Sequence, residues 1–325
     1  MDIYFYGIIV SLAIVAGFAY AMVRSEQFGL IADKVFDAAV AGLIGGFLSA
    51  RLYYVILSDT KYTFITFFSD LRDGGLAIYG GVIGAVTFAL IFMKLRKMKI
   101  PPVMDLAGLG FLLGIGIGRW GNFFNQEAYG ATAAPDYFLA MTGNLIQGST
   151  EYGKLVHPCF LYESLWCLLG FVLLHIYSKE QYQTFDGEIF LLFAAWYGTG
   201  RAFNEQLRAD SLMLGNIKFS QILAIVSAAL ALGGFVYLKI KVKKSETYKL
   251  FRDTEESAAA IAAHKEKLRL DKEKIAARKA LKQVEEKAPS ILGGAEMPED
   301  VGGGEVDEFD IGGDAPSDEQ LTMDN

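Results

Sequence analysis

Cysteine and histidine are scarce, two and three in 325 residues. Cys159 and Cys167 lie eight apart in one apolar segment. That is neither metal-ligand nor Cys-x-x-Cys spacing, so both read as packing residues and no disulfide framework is implied. Of the histidines, only His157 falls in a candidate motif; His175 and His264 read as an interface residue and a tail residue. The N-terminus, Met1 to Tyr6, lacks a basic region and a small-residue cleavage site after it, so it reads as a retained span and not a leader. No internal repeat relates the two halves, although a transporter built from repeats predicts one. The last apolar stretch has no lysine between Lys218 and Lys239, which excludes a retinal protein. No Gly-x-Ser-x-Gly element accompanies a histidine, which excludes an intramembrane serine protease of that type.

What is plentiful is apolar. Hydrophobic side chains make up 53% of the chain, and mean hydropathy is +0.31. The net charge of -7 conceals an asymmetry. Residues 289–325 hold eleven acids and no Lys or Arg, so without them the charge moves from -7 to +4. A helix needs roughly 20 mainly apolar residues to cross the hydrocarbon. Seven segments meet that length, at about 3–23, 36–57, 75–95, 103–123, 158–178, 187–207 and 219–239. Thirteen Lys and Arg fall in the connections on one side, from Arg24 through Lys99 and Lys179 to Arg252, against five on the other. By the positive-inside rule this places the N-terminus outside and the C-terminus in the cytoplasm. The expected fold is an all-α integral membrane protein of seven transmembrane helices around an intramembrane polar cavity. The expected domains are a membrane domain over 1–240, a basic then charged cytoplasmic helix over 241–288, and an acidic, Gly-rich disordered tail over 289–325.

The cavity is expected because the spans hold too many ionisable groups for lipid-facing positions: Asp37, Arg51, Asp105, Arg119, Glu163, Glu188, Arg201 and Glu205. The densest stretch runs from Gly116 to Gly130. There an arginine, two asparagines and a glutamate sit among four glycines at the end of an apolar run. An Arg fork with amide and carboxylate neighbours suits an oxyanion such as phosphate. Arg201, Glu205 and Arg208 follow at i, i+4 and i+7, with Tyr197 one turn earlier, which predicts one positive helical face. The third span opens on the Gly-rich run Asp73 to Gly84, where helix packing is at least as good a reading as phosphate binding. Beyond Asp73 at its start, Tyr79 is the one side chain in that run able to donate or exchange a proton. His157-Pro158 stands at the mouth of the fifth span, as a base or as a cap ahead of the proline.

These residues carry a resemblance. Gly118-Arg-Trp-Gly-Asn-Phe-Phe-Asn-Gln-Glu-Ala-Tyr-Gly130 resembles the signature of the prolipoprotein diacylglyceryl transferases, bacterial inner-membrane enzymes with seven spans. In the same order, Tyr6-Gly7, Ala50 to Tyr54, Gly74 to Gly84, His157-Pro with Leu161-Tyr-Glu163, and Tyr197 to Arg208 resemble that family too, so the match covers roughly residues 1–240.

The resemblance implies transfer of the diacylglyceryl group of phosphatidylglycerol to the lipobox cysteine thiol of secreted prolipoproteins, with glycerol phosphate released. The alternative is a membrane transporter of an organic or lipid anion. By the resemblance Arg119 and Arg201 act where negative charge develops. Asn122, Asn125, Glu127 and Gly130 line the lipid head group, and Tyr6, Tyr197, Glu205 and Arg208 match further family positions. The implied partners are phosphatidylglycerol, a prolipoprotein signal peptide and membrane lipids, with no metal, cofactor or nucleic acid. The implied location is the bacterial cytoplasmic membrane, multi-pass, with the active site toward the outer face. Many family members have a histidine where this chain has Tyr79, often cast as the base for the thiol. A phenol of pKa about 10 is a poor base for a thiol of about 8.5. That leaves Tyr79 as a positioning group and His157, Glu127 or no dedicated base for the proton. A second departure is Cys159-Phe160, where the family often has a small polar residue and Gln.

Overall fold

The computed structural model describes residues 5–58, 77–142, 153–179, 182–208, 213–214, 217–245 and 247–287. Among them are eight α-helices: α1 (Phe5–Arg24), α2 (Ala32–Leu57), α3 (Ile78–Leu95), α4 (Ile100–Asn125), α5 (Cys159–Lys179), α6 (Glu188–Leu207), α7 (Phe219–Lys243) and α8 (Glu255–Lys287). Two short antiparallel hairpins interrupt them. In one, β1 (Met141–Thr142) pairs with β2 (Leu155–Val156), and in the other β3 (Met213–Leu214) pairs with β4 (Ile217–Lys218).

Six helices, α1 to α5 and α7, are long and apolar enough to cross a membrane. The seventh expected span coincides with α6, whose 20 residues are long enough at about 1.5 Å per residue. Its Glu188, Arg201 and Glu205 keep it short of the same apolarity. The Gly-rich opening of the third span lies partly outside the described residues, and α3 itself begins at Ile78. The acidic tail, 289–325, lies outside them altogether.

Small residues let the helices approach. Where α1 crosses α4, a Cβ on Gly17 would stand 3.0 Å from the Gly110 carbonyl oxygen. A Cβ on Gly84 would fall 2.2 Å from Cβ of Ser49, so α3 lies on α2 only because that carbon is missing. α2 packs chiefly on α3, α1 on α4, α6 on α7, and α5 on both α4 and α6. One half of the bundle holds an apolar cluster. There Val35 and Ala38 at the start of α2 meet Met93, Leu106, Leu109, Leu174 and Ile189. The Glu163 cluster lies in the opposite half, at the ends of α4 and α6 and the start of α5, whereas Asp105, Glu188 and Arg24 are buried beside the apolar cluster.

Residues 1–268 form one compact unit. Its last part was expected to be solvated, yet its first helical turns dock. Ser257 is fully buried, its hydroxyl donating to the Gly29 carbonyl at 2.9 Å, and Lys265 reaches Glu26 at 2.7 Å. Tyr248 and the Phe251 amide donate to the Asp186 carboxylate at 3.0 Å each. Apolar Leu250 and Phe251 supply what the charged composition of α8 concealed. The second unit, described over 269–287, is helical, with Arg269 3.6 Å from Glu273 one turn on.

Candidate active site

Glu163, in the first turns of α5, organises the polar half. It is 4% exposed and is ringed by donors. Oε1 accepts from Arg119 Nη2 of α4 and from the Tyr197 hydroxyl of α6 at 3.3 Å. Oε2 accepts from Arg201 Nη1 at 3.2 Å and Asn204 Nδ2 at 3.0 Å, both of α6. Arg201 Nη2 also meets the buried carboxylate of Glu205 at 2.6 Å, one turn along its own helix. Each buried charge therefore has a partner of opposite sign, as removal from water requires. Arg119 and Arg201, the two forks singled out in the sequence, are half-buried on the Glu163 carboxylate. Sequence reasoning passed over Glu163 and Asn204 as site residues, although a lone acid in the first turns of an otherwise apolar span was the available signal.

The cluster is not saturated. Arg119 Nε and Asn204 Oδ1 are buried without a hydrogen-bond partner among the described residues, one a donor and one an acceptor. Beside them a cleft of about 280 Å³ runs between α5 and α6, lined by Tyr162, Glu163, Trp166, Phe203, Asn204 and Leu207. Its apolar walls and polar floor suit an amphiphile better than a soluble anion. Among the described residues no group of three or more His, Cys, Asp or Glu is arranged to hold a metal ion.

Asn122, Asn125 and Glu127 are brought together by the way α4 ends. The Glu127 amide bonds the Asn122 carbonyl at 3.0 Å and the Gln126 amide bonds that of Phe123 at 3.3 Å, with Gln126 left-handed at φ 59°. This is a Schellman closure. It folds Glu127 back over the last turn, where Oε1 accepts from Asn122 Nδ2 at 2.9 Å and from Asn125 Nδ2 at 3.4 Å. Asn125 and Glu127 face solvent.

Arg208 is the C-cap of α6. The helix stops at Leu207, and Arg208 turns extended at φ -67°, ψ 134° and pairs with Gly130 as an antiparallel bridge. It remains within electrostatic reach of Arg119. Gly130 is buried at this junction, where a Cβ would stand 2.7 Å from Cβ of His157. The His157 carbonyl accepts from the Gly130 amide at 2.7 Å. His157 Nδ1 lies 3.1 Å from the Tyr162 hydroxyl, which donates to Tyr137 at 2.9 Å. With the Tyr162 hydroxyl donating to Tyr137, the His157 tautomer that matches this chain carries its proton on Nδ1 and a lone pair on Nε2.

Two expected residues take no part in the Glu163 hydrogen bonds among the described residues. Tyr6 packs against Gly121 of α4. Tyr79 sits in the first turn of α3, is 49% exposed, and makes no hydrogen bond among the described residues.

With this geometry in view, the comparisons with known proteins agree with one another. The family model described as prolipoprotein diacylglyceryl transferase matches residues 1–237. A phosphatidylglycerol–prolipoprotein diacylglyceryl transferase of Clostridium novyi (strain NT) is 34% identical over 253 residues, which is 77% of this chain and 96% of that protein. Proteins of the same name from Bacillus cereus (strain G9842) and Bacillus mycoides (strain KBAB4) are 35% and 38% identical. These matches cover 77% and 69% of this chain and 92% and 83% of the relatives. The chain belongs to the prolipoprotein diacylglyceryl transferase family.

Proposed function

We propose that the protein transfers the diacylglyceryl group of phosphatidylglycerol to the lipobox cysteine of secreted prolipoproteins, the first step of lipoprotein maturation. The observation that carries this reading is the Arg119–Glu163–Arg201 cluster beside an apolar-walled cleft, in a chain of this family. The thiol sulfur attacks the glycerol carbon that bears the phosphate. At the diacylated glycerol a C–S bond forms, the bond between that carbon and the phosphate oxygen breaks, and its electron pair stays on that oxygen, which leaves as part of glycerol phosphate. Arg119 and Arg201 meet the charge that grows on the departing phosphate. Glu163 and Glu205 hold the two forks oriented before the lipid arrives, so little reorganisation remains for the reaction.

His157 takes the thiol proton in this account, because Nε2 is the lone pair left open by the Nδ1–Tyr162–Tyr137 chain. Asn122, Asn125, Glu127 and Gly130 shape the head-group end, with Tyr6, Tyr197 and Arg208 around it, and Tyr79 positions substrate. We place the transferase domain over 1–240 as seven spans in the bacterial cytoplasmic membrane, with this cluster toward the outer face. The test is direct. Purified protein, phosphatidylglycerol micelles and a synthetic lipobox peptide should give a diacylglyceryl mass increment on the peptide cysteine. No increment with any anionic phospholipid, together with counterflow of an organic anion in proteoliposomes, would favour the transporter instead.

A further inference from the structure

The helix that carries Tyr197, Arg201, Asn204 and Glu205 is held at both ends by side chains from other elements. At its N-terminus, fully buried Asp105 of α4 accepts from the amides of Gly187 at 2.7 Å and Phe190 at 2.8 Å. At its C-terminus stands Lys218, which lies outside every motif singled out in the sequence. Its Nζ donates to the carbonyls of Glu205 at 2.8 Å, Gln206 at 3.1 Å and Arg208 at 3.0 Å.

The end of a helix leaves its last carbonyls without intrahelical donors, and its dipole favours a cation there. An ammonium has three N–H donors, and Lys218 aims all three at this one helix end. Its own element would not choose it. Lys218 is the N-cap of α7, where the dipole disfavours a positive charge. The interaction across to α6 offsets that cost. Its consequence is local to the site. The chain leaves α6 at Leu207, turns extended at Arg208 and pairs with Gly130, while the Ala131 amide bonds the Leu207 carbonyl at 2.7 Å. One side of this exit is thus fixed by the segment after α4 and the other by Lys218.

We propose that Lys218 is a positioning residue for the transferase site: by binding the carbonyls of Glu205, Gln206 and Arg208 it sets where α6 ends, and so where Glu205 and Arg208 stand relative to Arg201 and Arg119. The activity part of this inference rests on the transferase reading; the capping part does not. Without the ammonium the last turn of α6 loosens, Glu205 no longer holds its distance to Arg201, and the head-group end of the site loses its shape.

The experiment compares full-length wild type, Lys218→Met and Lys218→Arg in phosphatidylglycerol micelles. Lys218→Met should lower kcat/KM for phosphatidylglycerol about tenfold, chiefly through KM, with the peptide KM unchanged. Lys218→Arg, which keeps the charge and several donors, should recover most of the loss. A general folding defect would lower the active fraction without moving one KM selectively. Hydrogen exchange supplies a readout that needs no activity. Amides of 203–208 should exchange faster in Lys218→Met, while those of 225–240 stay protected. Wild-type KM for phosphatidylglycerol in Lys218→Met, or unchanged exchange over 203–208, would overturn the proposal. If wild type itself transfers nothing while exchange still changes as expected, the transferase reading fails and the cap stands. Should Lys218→Met not fold, Lys218→Gln carries the same comparison with two donors and no charge.

Discussion

Replacing Glu163 by Gln perturbs the centre of the account while preserving volume and shape. The carboxylate accepts four donors, from Arg119, Tyr197, Arg201 and Asn204, at 4% exposure. A carboxamide has one acceptor oxygen and turns an NH2 group toward one guanidinium. Two buried cations then share a single counter-ion, Glu205, which already faces Arg201. Removing one member of a buried ion pair costs about 3–5 kcal/mol. Part of that will appear as lost stability and part as lost orientation of the forks. If about 3 kcal/mol falls on the reaction barrier, kcat drops on the order of 100-fold, since each 1.36 kcal/mol is tenfold. Binding should behave differently, because the site has become more positive. KM for phosphatidylglycerol is expected to stay level or fall. The assay is steady-state transfer to a fluorescent lipobox peptide at varied phosphatidylglycerol, with thermal unfolding in the same detergent to correct for folded fraction. A Glu163→Gln enzyme with more than half of wild-type kcat and an unchanged Tm would refute the claim that this carboxylate orients the arginines.

Two further outcomes follow from contacts away from the cluster. Asp105→Ala leaves the Gly187 and Phe190 amides without their acceptor and Gln183 Nε2 with only the Phe185 carbonyl, and should lower stability by about 2–4 kcal/mol, read as a lower Tm in micelles. Asp105→Asn, which keeps one acceptor oxygen, should recover part of it. Docking of the segment after α7 should be pH-sensitive on the alkaline side. Burial pushes the Tyr248 phenol above its ordinary value, and that phenol donates to Asp186. A raised folded-state pKa means the docked form is fully favoured below the unfolded value of about 10 and is lost as pH rises through the folded one. Limited proteolysis between residues 244 and 254 should therefore be slow at pH 8 and accelerate above pH ~10, and Tyr248→Phe should remove that acceleration.

The helices were legible because an apolar run near 20 residues long declares itself without reference to neighbours. The segments expected at 103–123 and 187–207 became Ile100–Asn125 and Glu188–Leu207. Boundaries moved by two or three residues where capping decides, as at Asn125, where a left-handed Gln126 closes the helix and no glycine marks the position. Arg119 and Arg201 were legible for the converse reason, since a buried charge in an apolar helix demands explanation. What the sequence could not disclose is convergence. Nothing local to Glu163 says that four donors from α4 and α6 meet on it, because that depends on which helix faces pack. The bridge from Arg208 to Gly130 and the seating of Lys218 on another helix's carbonyls are likewise products of tertiary structure. Both were hidden behind a regular i, i+4, i+7 pattern and an unremarkable lysine.

The central claim is that Arg119 and Arg201 together neutralise the phosphate that leaves as the thioether forms. It is tested most directly by measuring peptide adduct and released glycerol phosphate in the same reaction, for wild type, Arg119→Ala and Arg201→Ala. The account predicts equal amounts of the two products with wild type. With either variant it predicts loss of both by at least about 100-fold, since a charge-stabilising group is worth roughly 3 kcal/mol or more at the transition state. Wild-type adduct yields from either alanine variant would contradict it.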